Sequence, residues 1–175
     1  MDLYKDTLER VSDWLKYAEA KNVVLIGVAS AGAWATIRTL GGIDAPLAEA
    51  YLYVLLFSLI LASIAGLTSL LPIIRYHPIV IGKCPDEPDN LIFFGHLAHL
   101  RPAGLIEAFD RASPTTTNAK LKHAFAEQII NNARIAMAKF RLFKFGISCV
   151  LCGLLTPFIG IPLTVYLTRP GRIDA

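Results

Sequence analysis

The chain has 175 residues, of which 54% are hydrophobic and only 18% are charged, and its mean hydropathy is +0.50. Because soluble domains carry roughly 25% charged residues, this composition is typical of a membrane protein and argues against an ordinary soluble domain. The net charge of +3 is too small, beside so much apolar sequence, to predict nucleic-acid binding, and we expect a single domain, 1–175.

The first 21 residues predict a helix that leads directly into the first membrane span. Apolar residues recur there at helical spacing, with charged residues between them. These apolar residues are Leu3, Leu8, Val11, Trp14, Leu15 and Ala18. An amphipathic helix that lies in the membrane interface is the alternative.

Three apolar stretches predict transmembrane helices at 22–40, 50–74 and 145–168. The second and third contain no charged residue and exceed the roughly 20 residues that a helix needs to cross a bilayer. The first is uncharged only between Lys21 and Arg38, so a buried helix of a soluble protein is its alternative. The sequence therefore predicts an all-α membrane protein with three spans.

Small residues recur every four positions in the first two spans. They are Gly27, Ala31 and Ala35 in the first and Ser58, Ala62 and Gly66 in the second. Such stripes let helix backbones approach closely, so we expect them to pack either within one chain or between subunits. Three spans of this size hardly enclose a pore alone. If the protein forms a channel or a large membrane lesion, it would therefore have to be a homo-oligomer.

Lysine and arginine predict the orientation. Residues 1–21 and 75–144 contain 14 of the 17 Lys and Arg residues, whereas loop 41–49 and tail 169–175 contain few. By the positive-inside rule, the N-terminus and the central segment lie on the cytoplasmic side of the cell inner membrane, and the tail lies outside.

The central segment, 75–144, divides into a loop, a motif and a long helix. The sequence "PDEPD" at 85–89 predicts a loop, and "DNLIFFGHLAHL" follows it. Residues 115–144 contain no Pro or Gly and begin with Thr and Asn as candidate caps. They predict one helix that is continuous with the third span and couples the cytosol to the membrane.

Candidate chemistry is sparse. His96 and His99 would share a helix face, but no standard metal-ligand spacing surrounds them, so we expect neither a metal nor a cofactor. Cys149 and Cys152 lie in an apolar stretch where thiolates are disfavoured, and we interpret them as small apolar residues. The sequence contains no common nucleophile or phosphate-loop motif, so we do not expect an enzyme.

Three groups of residues resemble motifs of the bacterial Pycsar transmembrane effectors. The first group is Trp14, Tyr17, Ala18 and Lys21 before the first span; the second is Asn90, Leu91, Phe93, Phe94, Gly95, His96 and Ala98; the third is Gln128, Ile135, Ala136, Lys139 and Leu142. The middle motif is the most specific. Glu19 stands where an aspartate is expected, and within these 175 residues we do not expect the separate cyclic-nucleotide-binding domain that some such effectors carry.

The resemblance implies an antiphage effector. In such systems a partner cyclase makes a cyclic mononucleotide, cCMP or cUMP, and the effector responds by impairing the inner membrane of the infected cell. The alternatives are a non-enzymatic scaffold that docks a cytosolic protein, or a membrane-bound hydrolase that uses His96 or His99.

Aromatic, cationic and amide side chains are the candidates for binding such a nucleotide. They are Phe93, Phe94, His96, Arg101, Arg111, Asn131 and Asn132. Packing is the alternative role for the two phenylalanines, and lipid attraction for the arginines. Because Gly95 stands between Phe94 and His96, we expect a tight turn or a close helix contact there, and we interpret the motif first as a hinge between sensing and membrane.

Overall fold

The computed structural model describes residues 2–71, 91–114 and 118–167, without the side chains of 159 and 161–167. Five helices lie in this part of the chain: α1 (Asp2–Leu40), α2 (Pro46–Leu70), α3 (Phe94–Leu97), α4 (Pro102–Ala112) and α5 (Ala119–Leu167). None of these residues forms a strand, in agreement with the predicted all-α class. The predicted loop 85–89 and the tail 169–175 lie outside the described residues.

Two long helices form the frame of the molecule. At 1.5 Å per residue, the 39 residues of α1 and the 49 of α5 measure about 58 Å and about 73 Å. Asp2 in the first turn of α1 and Arg38 in its last turn complement the helix dipole. Asn118 caps α5, since its Oδ1 accepts a hydrogen bond from the Lys120 backbone N–H at 2.9 Å. Both helices predicted outside the membrane, at the start of α1 and of α5, continue without a break into the apolar stretch that follows them.

One end of the frame is an apolar layer, formed by 22–40 of α1, by α2 and by 145–167 of α5. Its buried centre consists of Leu25, Ala29, Leu59, Ala62 and Val150. Large apolar side chains cover its outside, as a lipid-facing surface requires. Both α1 and α2 are long and apolar enough to cross a membrane. The third span, 145–168, stays a prediction.

The other end is a polar bundle, formed by 2–21 of α1, by α3, by α4 and by 119–144 of α5. Its core is a single cluster: Tyr4, Val11, Phe94, Leu97, Ala98, Leu105, Phe109, Ala126, Ile129, Ile130, Ala133 and Ala136. Helix α4 begins with Pro102, which is well suited to a first helical turn, and buries Leu105 and Phe109. The bundle therefore has its own core, separate from that of the apolar layer.

Small residues bring α2 close to its neighbours in the apolar layer. A Cβ atom added at Gly153 would lie 2.9 Å from the Ser58 Cβ, and one at Gly146 would lie 3.4 Å from the Ala62 carbonyl oxygen. One added at Gly66 would lie 2.5 Å from a side chain of α1. The stripe Ser58, Ala62 and Gly66 thus packs within the chain, against α1 and α5.

The stripe in the first span has a different location. Gly27, Ala31 and Ala35 are all exposed, and a Cβ atom added at Gly27 would meet nothing within 4 Å. Helix α1 instead packs through Leu25 and Ala29. Packing within one chain therefore does not apply to this stripe, and packing between subunits stays a prediction.

Candidate functional site

Lys139 lies where the polar bundle meets the apolar layer. Its Nζ is 2.9 Å from Glu19 Oε1 on α1 and donates a second hydrogen bond, also 2.9 Å, to the Ser69 carbonyl on α2. Lys139 is 5% exposed, whereas the Glu19 side chain is 46% exposed. The Ser69 carbonyl belongs to the last turn of α2, where backbone acceptors lack helical partners and the helix dipole favours a cation. One ammonium group thus connects α5 to both α1 and α2.

Asn22 strengthens this connection. Its fully buried amide donates to the Ala18 carbonyl at 2.8 Å and to the Lys139 carbonyl at 3.2 Å. Among the described residues, Asn22 Oδ1 and Ser69 Oγ are buried without a hydrogen-bond partner. We call Glu19, Asn22, Ser69 and Lys139 the helix junction. Its buried charge and unpaired polar atoms make it less favourable energetically than the two apolar cores on either side of it.

An aromatic cluster attaches the "FFG" motif to the two long helices. The Phe94 ring lies 5.4 Å from Trp14 of α1 and 5.3 Å from Phe140 of α5, and Phe93 lies 4.9 Å from Phe94, all between ring centroids. Phe94 is buried and Phe93 is half exposed. Phe140 directly follows Lys139, so the cluster reaches the helix junction. The packing role that sequence left open for Phe94 is the one that the structure shows.

A groove runs along the outward face of α1 beside this cluster. It has a volume of about 450 Å³ and is lined by Arg10, Asp13, Trp14 and Tyr17, which share one helix face. Trp14 and Tyr17 lie 6.0 Å apart, and the Lys21 ammonium lies 4.5 Å from the centre of the Tyr17 ring. An aromatic surface with cations nearby can accept a flat, negatively charged molecule.

Gly95 and Arg134 hold the motif in shape. The Phe93 ring occupies the space into which a Cβ atom at Gly95 would project, so the glycine permits a close contact. Arg134 of α5 donates from Nε to the Ala98 carbonyl at 2.9 Å and from Nη2 to the Leu100 carbonyl at 3.3 Å. These carbonyls belong to the turn that follows α3, so a single guanidinium group ties that turn to α5.

The two histidines of the motif, His96 and His99, differ in their hydrogen bonding. His99 Nδ1 lies 2.8 Å from the Gly95 carbonyl oxygen, as expected for an ordinary hydrogen-bonded histidine. His96 Nδ1 is buried without a hydrogen-bond partner in the described part of the chain. Over residues 2–71, 91–114 and 118–167, no group of three or more His, Cys, Asp or Glu side chains could hold a metal ion.

The structure does not bring all predicted ligand residues together. Arg101 and Arg111 stand at opposite ends of α4, about 15 Å apart along its axis, and Arg111 pairs with Glu107 at 3.5 Å. Asn131 is exposed on α5, more than two helical turns before the cluster residue Phe140. Arg101 and Arg111 therefore do not lie side by side.

Asn132 and Gln128 connect the long helices farther from the membrane. Gln128 Nε2 donates to Asn132 Oδ1 at 3.1 Å, and Asn132 Nδ2 donates to Ser12 Oγ of α1 at 3.3 Å. Both residues thus act in helix contact. Asn90, the remaining motif residue, lies outside the described residues.

A second polar group lies in the core of the polar bundle. The Lys122 Nζ donates to Asp110 Oδ1 at 2.7 Å, and the buried Tyr4 ring lies edge-on to Phe109 at 4.8 Å. Burial, and secondarily the negative charge of Asp110, raises the pKa of the Tyr4 phenol above its ordinary value of 10.0. Its hydroxyl has no hydrogen-bond partner among the described residues.

Sequence reasoning identified Lys139 and Glu19 separately but did not pair them, and it missed four other residues: Asn22, Ser69, Arg134 and Arg10. One signal was present for Asn22, because an amide at the first position of an apolar stretch requires a partner when it is buried. The other residues carry no local signal, since their partners lie on other helices.

Comparisons with known proteins cover nearly the whole chain. Residues 3–166 match the family described as "Pycsar effector protein domain". The Pycsar effector protein RsPycTM of a Rhizobium species is 34% identical over 151 residues, which cover 81% of this chain and 83% of that protein. No solved structure matches. The family match spans the polar bundle, the helix junction and the apolar layer, and the chain belongs to the Pycsar effector family.

Proposed function

We propose that the protein is an antiphage defence effector that responds to a cyclic mononucleotide, cCMP or cUMP, by rearranging its helices and impairing the inner membrane. Family membership supports the defence role. The proposed action needs no catalysis. It needs a part that senses the signal, a part that acts on the bilayer and a connection between them.

The connection is the observation that carries the proposal. Helices α1 and α5 each run without a break from the polar bundle into the apolar layer. At the crossing point, Lys139 bonds to Glu19 and to the end of α2, so all three long helices meet in one polar contact. A change in how α1 and α5 pack in the polar bundle would alter their packing in the apolar layer.

The membrane arrangement is part of the proposal. We propose three spans, at 22–40, 50–74 and 145–168, with the polar bundle in the cytoplasm, where a cyclase product would be present. The excess of Lys and Arg in 1–21 and 75–144 supports this orientation. We also propose homo-oligomers, because three helices are too few to surround an aqueous path. The exposed stripe of Gly27, Ala31 and Ala35 supports a helix contact between subunits.

A leakage experiment tests this function. The protein is expressed in cells that contain or lack a pyrimidine cyclase, and entry of a membrane-impermeant dye is measured. We expect dye entry only when both protein and cyclase are present. A cyclase without activity is the matched control, because it separates the nucleotide from the presence of a second protein.

Two results would contradict the proposal. If the cells stay intact with the active cyclase while the protein is present in the membrane, the protein acts as a scaffold. If the nucleotide is consumed, and His96→Ala with His99→Ala stops its consumption, the protein is a hydrolase.

A further inference from the structure

The exposed aromatic rings on α1 call for an explanation. Trp14 and Tyr17 are 42% and 49% exposed, although both lie in the polar bundle and touch the aromatic cluster. Large exposed aromatic surfaces are unfavourable in water and often mark binding sites. Neither ring belongs to the buried core of the polar bundle, although both lie against Phe140.

From this surface we infer a ligand site for a planar ring that carries a phosphate, bound in the groove formed by Arg10, Asp13, Trp14 and Tyr17. The inference rests on the proposed function and names the site at which the cyclic nucleotide acts. The ligand ring stacks on Trp14, which the Tyr17 ring meets edge-on at an interplanar angle of 70°, and the phosphate pairs with the Arg10 guanidinium.

The groove is open to solvent, because all four lining residues lie on one face of α1, and a ligand would lie against the helix with its other side exposed. Arg10 and Trp14 are one helical turn apart, so their side chains start about 5–6 Å from each other. That separation suits a phosphate joined through one sugar to a base.

One cation at the groove has no partner of opposite charge in the described part of the chain. Arg10 forms no ion pair with any described residue, so its guanidinium is available to a phosphate. The carboxylate of Asp13 is paired with Lys16 at 3.0 Å, which offsets its repulsion. Lys21 adds positive charge behind the Tyr17 ring. The groove thus combines a stacking surface with an available cation.

Lipid head groups carry the same phosphate chemistry, but the groove extends too far from the apolar layer for them. Arg10 lies 12 residues before Asn22, about 18 Å along α1, and Trp14 lies about 12 Å from it. The head-group region is roughly 5–8 Å deep on each side of the hydrocarbon core. A soluble phosphate ligand therefore fits the position of Arg10 and Trp14 better than a lipid.

Fluorescence provides a direct test, because the chain has only two tryptophans. In the full-length Trp34→Phe variant, Trp14 is the one fluorescent indole. The variant is placed in nanodiscs of zwitterionic lipid and titrated with cCMP, cUMP and the two uncharged nucleosides. We expect saturable quenching by at least one cyclic nucleotide, at a concentration at least ten-fold lower than for its nucleoside.

Variants of the two cations provide the matched control. In the Trp34→Phe background, Arg10→Ala should weaken binding about ten-fold or more, whereas Lys5→Ala, an exposed cation of the same helix outside the groove, should leave binding unchanged. Trp14→Phe is tested in parallel by equilibrium dialysis, which measures total binding without fluorescence. Binding should weaken while the far-UV circular dichroism stays that of a folded helical protein.

The outcomes separate the site from the function. If dialysis shows nucleotide binding that Arg10→Ala and Trp14→Phe leave unchanged, the site lies elsewhere and only this inference is overturned. If dialysis shows no binding of any cyclic nucleotide to the wild-type chain, the proposed function fails with it. If nanodiscs of anionic lipid quench Trp14 without nucleotide and abolish the nucleotide response, the groove binds lipid head groups, and the inference is overturned.

Discussion

Replacing Glu19 should destabilise the protein more than replacing Lys139, although the two residues form one ion pair at the helix junction. Glu19→Ala leaves the ammonium of Lys139 buried with the Ser69 carbonyl as its one remaining partner at the junction. Removing one partner of a fully buried pair costs about 3–5 kcal/mol. Because Glu19 is 46% exposed and water reaches the pair, we expect a smaller loss, about 2 kcal/mol.

Lys139→Met should cost less. It removes a charge-assisted hydrogen bond, which contributes about 1.5–3 kcal/mol, together with the ion pair. It also removes the several kcal/mol that it costs to bury an ammonium group, and methionine refills much of the space. Glu19 then turns to water. The net change should stay within about 1 kcal/mol, and the double variant should resemble Lys139→Met alone.

Thermal unfolding in detergent, followed by far-UV circular dichroism, measures this cycle. At about 2–4 °C per kcal/mol for a chain of this size, Glu19→Ala should lower Tm by about 4–8 °C. Lys144→Met, an exposed lysine on the same helix, is the control and should leave Tm unchanged. The reasoning fails if Lys139→Met lowers Tm as much as Glu19→Ala, or if the double variant loses the sum of both.

Four further substitutions test other contacts. Gly146→Val should lower stability by about 1–3 kcal/mol in the same melting experiment, because a Cβ atom at 146 would lie 2.5 Å from the Leu25 side chain. Gly104→Val in α4, where an added Cβ atom meets nothing within 4 Å, should change stability by less than about 0.5 kcal/mol, and equal losses would contradict the packing. Tyr4→Phe removes a buried hydroxyl without a partner and should raise stability by up to about 1–2 kcal/mol, so a clear drop in Tm would reveal a partner for it. Arg134→Lys loses the two-pronged contact with the turn after α3, and hydrogen exchange of residues 91–101 should become faster. Unchanged exchange would show that this turn does not depend on Arg134.

Features that depend on local periodicity were predictable from the sequence. The absence of Pro and Gly over 115–144 predicted the part of α5 that lies in the polar bundle, and the spacing of Val11 and Ala18 predicted the buried face of α1. The all-α class followed from the same periodicity, which depends only on neighbours along the chain.

Features that depend on contacts between distant residues were not predictable. Lys139 and Glu19 are 120 positions apart, and Asn22 and Lys139 are 117 apart. The same limit applies to the first-span stripe, because the sequence shows which residues are small but not which helix face meets a neighbour within the chain. Gly27 and Gly66 look alike in sequence, yet one is open and the other is enclosed.

The two apolar cores and the helix junction differ in strength, and this difference indicates where the proposed nucleotide would act. Shifting a two-state equilibrium from 1:99 to 99:1 takes about 5.5 kcal/mol of differential binding, which limits what one small ligand achieves. The two apolar cores resist rearrangement, because separating packed helices exposes many side chains to water at about 25 cal/mol per Å². The helix junction contains an ion pair whose carboxylate, that of Glu19, is half exposed, and two unpaired polar atoms. Opening the junction therefore costs far less free energy than separating the apolar cores. Trp14 contacts Phe140, the residue after Lys139, and a ligand stacked on Trp14 would therefore act on the weakest contact between the polar bundle and the apolar layer.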